Sequence, residues 1–429
     1  MRAFSLRQCL NIQDSDKGFR KAITLRYAVA LYVTSVLGSG VLVLPGLAAK
    51  IAGPGSLVAW IILSLASYPF AYTFASLSAR RPESGGVYSF AKESLGHSIA
   101  SMTGWLFAVW YITGAPAVTL IAASYLAFAF PMNRLEIFIV AGLIIFAAFS
   151  INYRGIVVSN KIQLAVLVSI VTLLLATVVA SFRSVSLSNF SPFLPNGLIP
   201  IGVSAALIFW SYLGYENVSN VAEEFENPKR DFHRSILLSV VIVSALYVSV
   251  AFMTVGTLAY KAGGSVAPFA AILSNVLGIY GALGTAIFAV FIIFGTVNAY
   301  MTGMSRVIYS VARDGGFPKF LVYLDKRTGA PSRSLVVLSG LALAVIAAFY
   351  FLNVDLETAL LIPSGAAVVI YVVGSVAGVK LLRGGRRSKI LPWISLAISL
   401  AILPFVGVLI SVTLVIAAVG LAYSRISRR

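Results

Sequence analysis

The chain of 429 residues is 59% hydrophobic and only 11% charged, whereas a soluble domain carries roughly 25% charged residues. A soluble chain this apolar could not cover its surface with polar groups. The formal net charge of +18 comes from basic residues spread through loops rather than gathered on one face, which argues against a nucleic-acid partner. The single cysteine, Cys9, excludes an internal disulfide, and His97 and His233 stand in no ligand spacing, so neither a metal nor any other cofactor is expected.

In chain order, hydropathy marks a charged N-terminal segment (1–23) and twelve apolar spans. These run 24–48, 55–79, 100–130, 134–151, 161–182, 199–222, 235–258, 281–310, 334–351, 357–381, 390–405 and 406–423. Runs such as 57–77 and 236–258 exceed the roughly 17 residues that cross a hydrocarbon core, and the polar N-terminus does not fit a signal peptide. A tight turn near Pro404 to Gly407 separates the last two spans.

Charge tests this count. With the N-terminus inside, 28 of the 32 Lys and Arg residues fall in inner segments, and only Lys50, Arg134, Arg183 and Lys261 fall outside. One missed or extra span would scramble the asymmetry. Both termini are therefore expected in the cytoplasm, with anionic lipid of the plasma membrane facing the basic loops. The expected fold class is an all-α polytopic membrane protein of about twelve transmembrane helices in one domain, 1–429.

Two spans break helical rules in matching places. Span 1 carries Ser35-Val36-Leu37-Gly38-Ser39-Gly40-Val41 with Pro45 beyond, and span 6 carries Phe209-Trp210-Ser211-Tyr212-Leu213-Gly214-Tyr215-Glu216. Each break lies about a dozen residues into its span, and the two spans are five apart, so they run in opposite directions. That pattern fits an inverted repeat of spans 1–5 (24–182) and 6–10 (199–381) with two additional helices (390–423). A glycine pair also serves close helix packing. Unpaired backbone at membrane depth, however, is tolerated only where protein or a polar cavity satisfies it. Freed N–H groups at the start of a half-helix suit a carboxylate, and the carbonyls ending the opposite half-helix suit an ammonium. A zwitterionic amino acid presents both.

Glu216 is the only acidic residue placed within a span and away from its ends. An ionisable group there is a functional candidate, as a proton carrier or gate; the alternative is a brace for the loose end of span 6. Glu223 and Glu224 are read as solvated at the helix end. Trp105, Phe107, Trp110 and Tyr111 crowd span 3, and Asn298 and Tyr300 lie in span 8; aromatics on membrane helices mostly pack or anchor.

These blocks resemble the amino acid–polyamine–organocation (APC) superfamily of transporters. Gly38-Ser39-Gly40-Val41 followed by Pro45 looks like its span-1 signature. The run Phe209–Glu216, continuing to Ala222-Glu223-Glu224 and Asn227-Pro228-Lys229-Arg230, looks like its span-6 signature. Pro82-Glu83-Ser84-Gly85-Gly86-Val87-Tyr88 and Ser305-Arg306 through Ala312-Arg313-Asp314-Gly315 agree. The resemblance implies a five-plus-five inverted repeat with broken helices 1 and 6, and a secondary transporter rather than an enzyme. The substrate carboxylate would meet N–H groups near Ser39 and Gly40, and its amino group carbonyls near Val36, Trp210 and Leu213. Gly38, Phe107, Phe209, Ser211, Gly214, Tyr300 and Ser364 would complete the site, and Glu216 matches a glutamate implicated in proton sensing.

Some proton-coupled relatives carry a lysine deep in span 5; here 164–175 has none, so coupling through such a lysine is not expected. Apart from Glu216 the pocket reads as apolar and aromatic, which fits a small neutral apolar amino acid, with protons as the candidate coupling ion or exchange in their place. The rival from another class is an amino-acid-responsive sensor or channel on the same fold.

Overall fold

The computed structural model describes residues 19, 21–83, 85–130, 132–261, 268–354, 359, 362–403 and 410–426. The turn expected at 404–407 and nearly all of the N-terminal segment lie outside this set. The described chain is helical, with one isolated backbone bridge between Ile23 and Phe225. In order the helices are α1 (Leu25–Ala52), α2 (Ser56–Arg80), α3 (Val87–Leu95), α4 (His97–Ala129), α5 (Arg134–Tyr153), α6 (Ile156–Ser181), α7 (Ile199–Phe209), α8 (Pro228–Gly256), α9 (Pro268–Leu277), α10 (Ile279–Arg313), α11 (Ser332–Phe351), α12 (Ser364–Leu381), α13 (Arg386–Ile402) and α14 (Ile410–Ile426).

Seven stretches among the described residues are long and apolar enough to cross a membrane, the first (25–80) containing both α1 and α2. Shorter apolar helices cover 199–209, 365–381 and 413–423. In lipid every backbone group must be bonded internally, so these sequences have no alternative to helix. Burial sorts them. The most apolar window of the α1–α2 unit is 94% buried and that of α4 78%, against 33% for α5 and for α6. The first group forms the interior of the bundle and the second its outer wall. On α5 the exposed Leu135, Ile139, Leu143 and Phe146 follow helical spacing along one face, a stripe suited to acyl chains. Inside, α1 packs against α8, α10 and α6, and α4 packs against α10.

Three features depart from the sequence reading. Two short helices, α3 and α9, occupy segments read as loops; both are shorter than a span, below what hydropathy windows detect. Span 5 begins earlier than expected, at Ile156, so Lys161 sits within the second turn of α6. The break in span 1 is confined to one residue, while span 6 remains unwound well past its own break.

Candidate binding site

Within α1 the helix fails only at Gly38, where φ is −10° and ψ −140°. Helix α7 stops at Phe209, and the chain continues in 3-10 turns over Trp210–Tyr212 and Asn217–Glu224. Gly214 lies between them with φ of +136°, open to glycine and costly for other residues. The two breaks press together. A Cβ on Gly214 would lie 2.9 Å from the Ser35 carbonyl oxygen, one on Gly38 2.9 Å from the Thr296 side chain, and one on Gly40 would collide with Ser211 Oγ. Gly40 and Gly214 thus serve contact between the broken segments and Gly38 contact with α10, the packing role that the sequence left open beside ligand access.

Hydrogen bonds show where the freed backbone groups go. The Tyr247 hydroxyl of α8 lies 2.7 Å from the Val36 carbonyl and 2.9 Å from the Ser211 carbonyl, one proton bridging both breaks. Thr296 Oγ1 donates to the Thr34 carbonyl at 3.0 Å. Asn217 Nδ2 donates to Ser35 Oγ and to the Ala299 carbonyl, each at 3.0 Å. Glu216 is fully buried. Its Oε2 accepts from the Gly214 N–H at 2.9 Å and from the Tyr371 hydroxyl, and Oε1 stands 3.5 Å from the Tyr300 hydroxyl. The carboxyl therefore ties the span-6 break to α10 and α12, and has no basic partner among the described residues.

Between the breaks, α4 and α10 lies a cavity of about 580 Å3, its mouth included. Of the expected site residues, Val36, Gly38, Gly40, Ser211, Leu213 and Tyr300 line it. Phe107, Phe209 and Gly214 do not. Phe107 packs beside Trp110, with ring centroids 6.0 Å apart. Phe209 packs edge-on against Phe70, and Gly214 is engaged with Glu216. The side chains of Ser39, Trp210 and Ser364 lie outside the described residues. The lining also includes Ser35, Trp110, Tyr111, Gly114, Ala115, Val118, Thr296 and Val297. Among the described residues no lining side chain carries a charge. The span-3 face was legible only as an aromatic crowd, and Thr296 and Tyr247 only as lone polar groups in apolar runs, a signal too common in membrane helices to single them out.

One reading is corrected. Glu224 is not solvated: it pairs with Arg306 at 2.7 Å, and each side chain is 1% exposed. Around it the N–H groups of Ala22 and Ile23 donate to the Glu224 carbonyl, each at 2.9 Å, and the Glu226 N–H donates to the Ile23 carbonyl at 3.1 Å. The Phe19 ring lies 5.7 Å from the Arg306 guanidinium and 5.3 Å from Tyr309. The segment before α1, the end of the span-6 break and α10 are thus pinned together. The sequence concealed this because the two charges lie 82 positions apart. Outside the spans, the Arg80 hydrogen bond holds the Glu93 carboxyl below its ordinary range.

A cavity thus lies between two facing helix breaks, inside a bundle of apolar helices. The amino acid permease family model matches residues 23–426, and the chain belongs to that family, within the APC superfamily. It is a multi-pass membrane protein and an amino acid transporter, not an enzyme. It is 32% identical to the uncharacterized amino acid permease YecA of Bacillus subtilis (strain 168), over 95% of this chain and 96% of that protein. It is 29% identical to the L-methionine/branched-chain amino acid exporter YjeH of Escherichia coli (strain K12), over 86% and 88%. It is 26% identical to the methylthioribose transporter of Bacillus subtilis (strain 168), over 80% and 78%.

Proposed function

We propose that this protein is a secondary active transporter of small neutral, mainly apolar amino acids, working by alternating access across the plasma membrane. The observation that carries this reading is the cavity itself: its lining has no charged side chain among the described residues, and both helix breaks border it. The substrate carboxylate lies at the N–H groups near Ser39 and Gly40, beside the Ser211 hydroxyl. The ammonium lies at the carbonyls near Val36, Trp210 and Leu213. Val36 gives one carbonyl lone pair to Tyr247 and keeps the other. The methionine and branched-chain substrates named for the exporter relative agree with a neutral side chain.

The architecture belonging to this reading is twelve spans with both termini cytoplasmic. An inverted repeat (24–182 and 199–381) is followed by two further helices (390–423). The Arg306–Glu224 pair and the segment before α1 then close the cytoplasmic side. Glu216, through Tyr300 at the cavity wall, links substrate occupancy to gating, with the proton as its coupling ion.

A thermal-shift screen with the twenty amino acids, their amides and polyamines tests the substrate class, since a ligand that binds only the folded state raises apparent stability. Neutral apolar amino acids should shift the melting temperature most. Their amides should shift it little, because the half-helix loses its anionic partner. A polyamine or arginine as the tightest ligand contradicts the reading.

A further inference from the structure

The segment joining α12 to α13 is densely basic. Residues 380–389 hold Lys380, Arg383, Arg386, Arg387 and Lys389 and no acidic residue. All five are exposed, and among the described residues none has a carboxylate partner. Lys380 reaches the Ser94 carbonyl of α3 at 3.4 Å, but Glu93 beside it already pairs with Arg80 at 2.7 Å. Arg386, Arg387 and Lys389 open α13, whose first turn has no acidic residue. Cations at the positive end of a helix dipole are repelled by it, and an anion beside them would offset that cost. The same helix carries an apolar stripe. Pro392, Ser395 and Ser399 are buried, on the side where α13 packs against α2 and α12. Ile390, Trp393, Ile394 and Leu400 are exposed, Trp393 by 59%. They follow Arg386 and Arg387 at helical spacing, so cations and apolar groups share one face. The start of this helix is held in place: the hydroxyls of Tyr72 on α2 and Ser388 lie 3.0 Å apart.

We propose that the exposed face of α13 is a binding site for an anionic phospholipid. The phosphate headgroup lies among Arg386, Arg387 and Lys389, and an acyl chain lies along Ile390, Trp393, Ile394 and Leu400. Neither half alone names the occupant. The unpaired cations call for an anion. The apolar stripe that runs on from them, on a helix of a membrane protein, calls for a hydrocarbon chain attached to that anion, and the two attractions reinforce each other. A cluster of this size beside a membrane helix attracts anionic headgroups by about five-fold per cation near the surface, and an exposed tryptophan at that level suits the boundary between headgroups and chains. The site stands apart from the amino acid cavity and does not depend on which substrate the cavity takes.

Trp393 reports the test directly. The full chain is placed in phosphatidylcholine vesicles that carry a small fraction of either phosphatidylglycerol or phosphatidylcholine with brominated chains, which quench tryptophan on contact. The signal of Trp393 is the difference from Trp393→Phe measured alongside. Brominated phosphatidylglycerol should quench it with a relative binding constant at least about five-fold above that of brominated phosphatidylcholine, the effect of one cation near a charged surface. In the combined variant Arg386→Gln, Arg387→Gln, Lys389→Gln that ratio should fall to about one. The combined variant Lys319→Gln, Lys326→Gln, Arg327→Gln, exposed on a different loop, should leave it unchanged. Equal quenching by both lipids in the wild type overturns the proposal without any variant. Quenching by neither also overturns it, since a second copy of the chain would then cover Trp393. A ratio that survives the first variant, or falls as far in the second, assigns the attraction to the basic loops as a whole and overturns the site. Inorganic phosphate that abolishes the ratio at constant ionic strength assigns the cations to a soluble anion, with the same consequence.

Discussion

At the level of single residues, the polar side chains around the breaks divide into those that hold the backbone and those free to act. Tyr247 belongs to the first group. Tyr247→Phe leaves the Val36 and Ser211 carbonyls without their shared donor, and should lower stability by about 1 kcal/mol, read from denaturation in detergent, with a loss of substrate binding because the two breaks lose their common anchor. Unchanged binding would show that the anchor is dispensable. Glu216 bridges the span-6 break and the cavity wall. It braces Gly214 and Tyr371, and it also reaches Tyr300 on the cavity wall. Glu216→Gln keeps the shape and an acceptor oxygen but cannot ionise. A carboxyl that exchanges a proton between two conformations makes their balance depend on pH. The variant should therefore bind substrate yet lose most of the pH dependence of transport between roughly pH 5 and 8. An identical profile in both proteins assigns Glu216 to bracing alone. The sequence exposed Glu216 because a carboxyl in an apolar run has no cheap explanation. It hid Tyr247, because a tyrosine in a membrane helix is ordinary until its partners are known.

At the level of elements, the two breaks were legible from Gly-Ser-Gly and from the Gly214-Tyr215-Glu216 run, yet their shapes differ from one another. One non-helical residue suffices in α1, because Thr296 and Tyr247 take up Thr34 and Val36. After Phe209 a longer 3-10 region is stabilised by Asn217, Gly214 and the Arg306–Glu224 pair. The mutual approach of Gly40 and Ser211 was not visible, since it joins residues 171 positions apart across the bundle. The charged pair makes its own prediction. Arg306→Ala strands a buried carboxylate and should cost roughly 3–5 kcal/mol, whereas removing Glu224 as well should cost less than Arg306→Ala alone. Melting temperatures of the single and double variants decide this, and a single variant as stable as the wild type would mean that the pair is dispensable.

At the scale of the whole molecule, hydropathy and loop charge marked where helices lie because lipid leaves the backbone no other choice. Helices α3 and α9 escaped because a helix of nine or ten residues carries no spanning signal. The resulting bundle has an interior of α1, α2 and α4 and an outer wall that includes α5 and α6, and its uncharged cavity borders both breaks. The same bundle could serve a carrier, a channel or a sensor. Counterflow separates them. Purified protein is placed in liposomes loaded with unlabelled neutral amino acid, and labelled amino acid is added outside. Alternating access predicts a transient accumulation of label above equilibrium, driven by exchange, for methionine or a branched-chain amino acid and not for arginine. Label that only equilibrates, or does not enter at all, contradicts the transport mechanism.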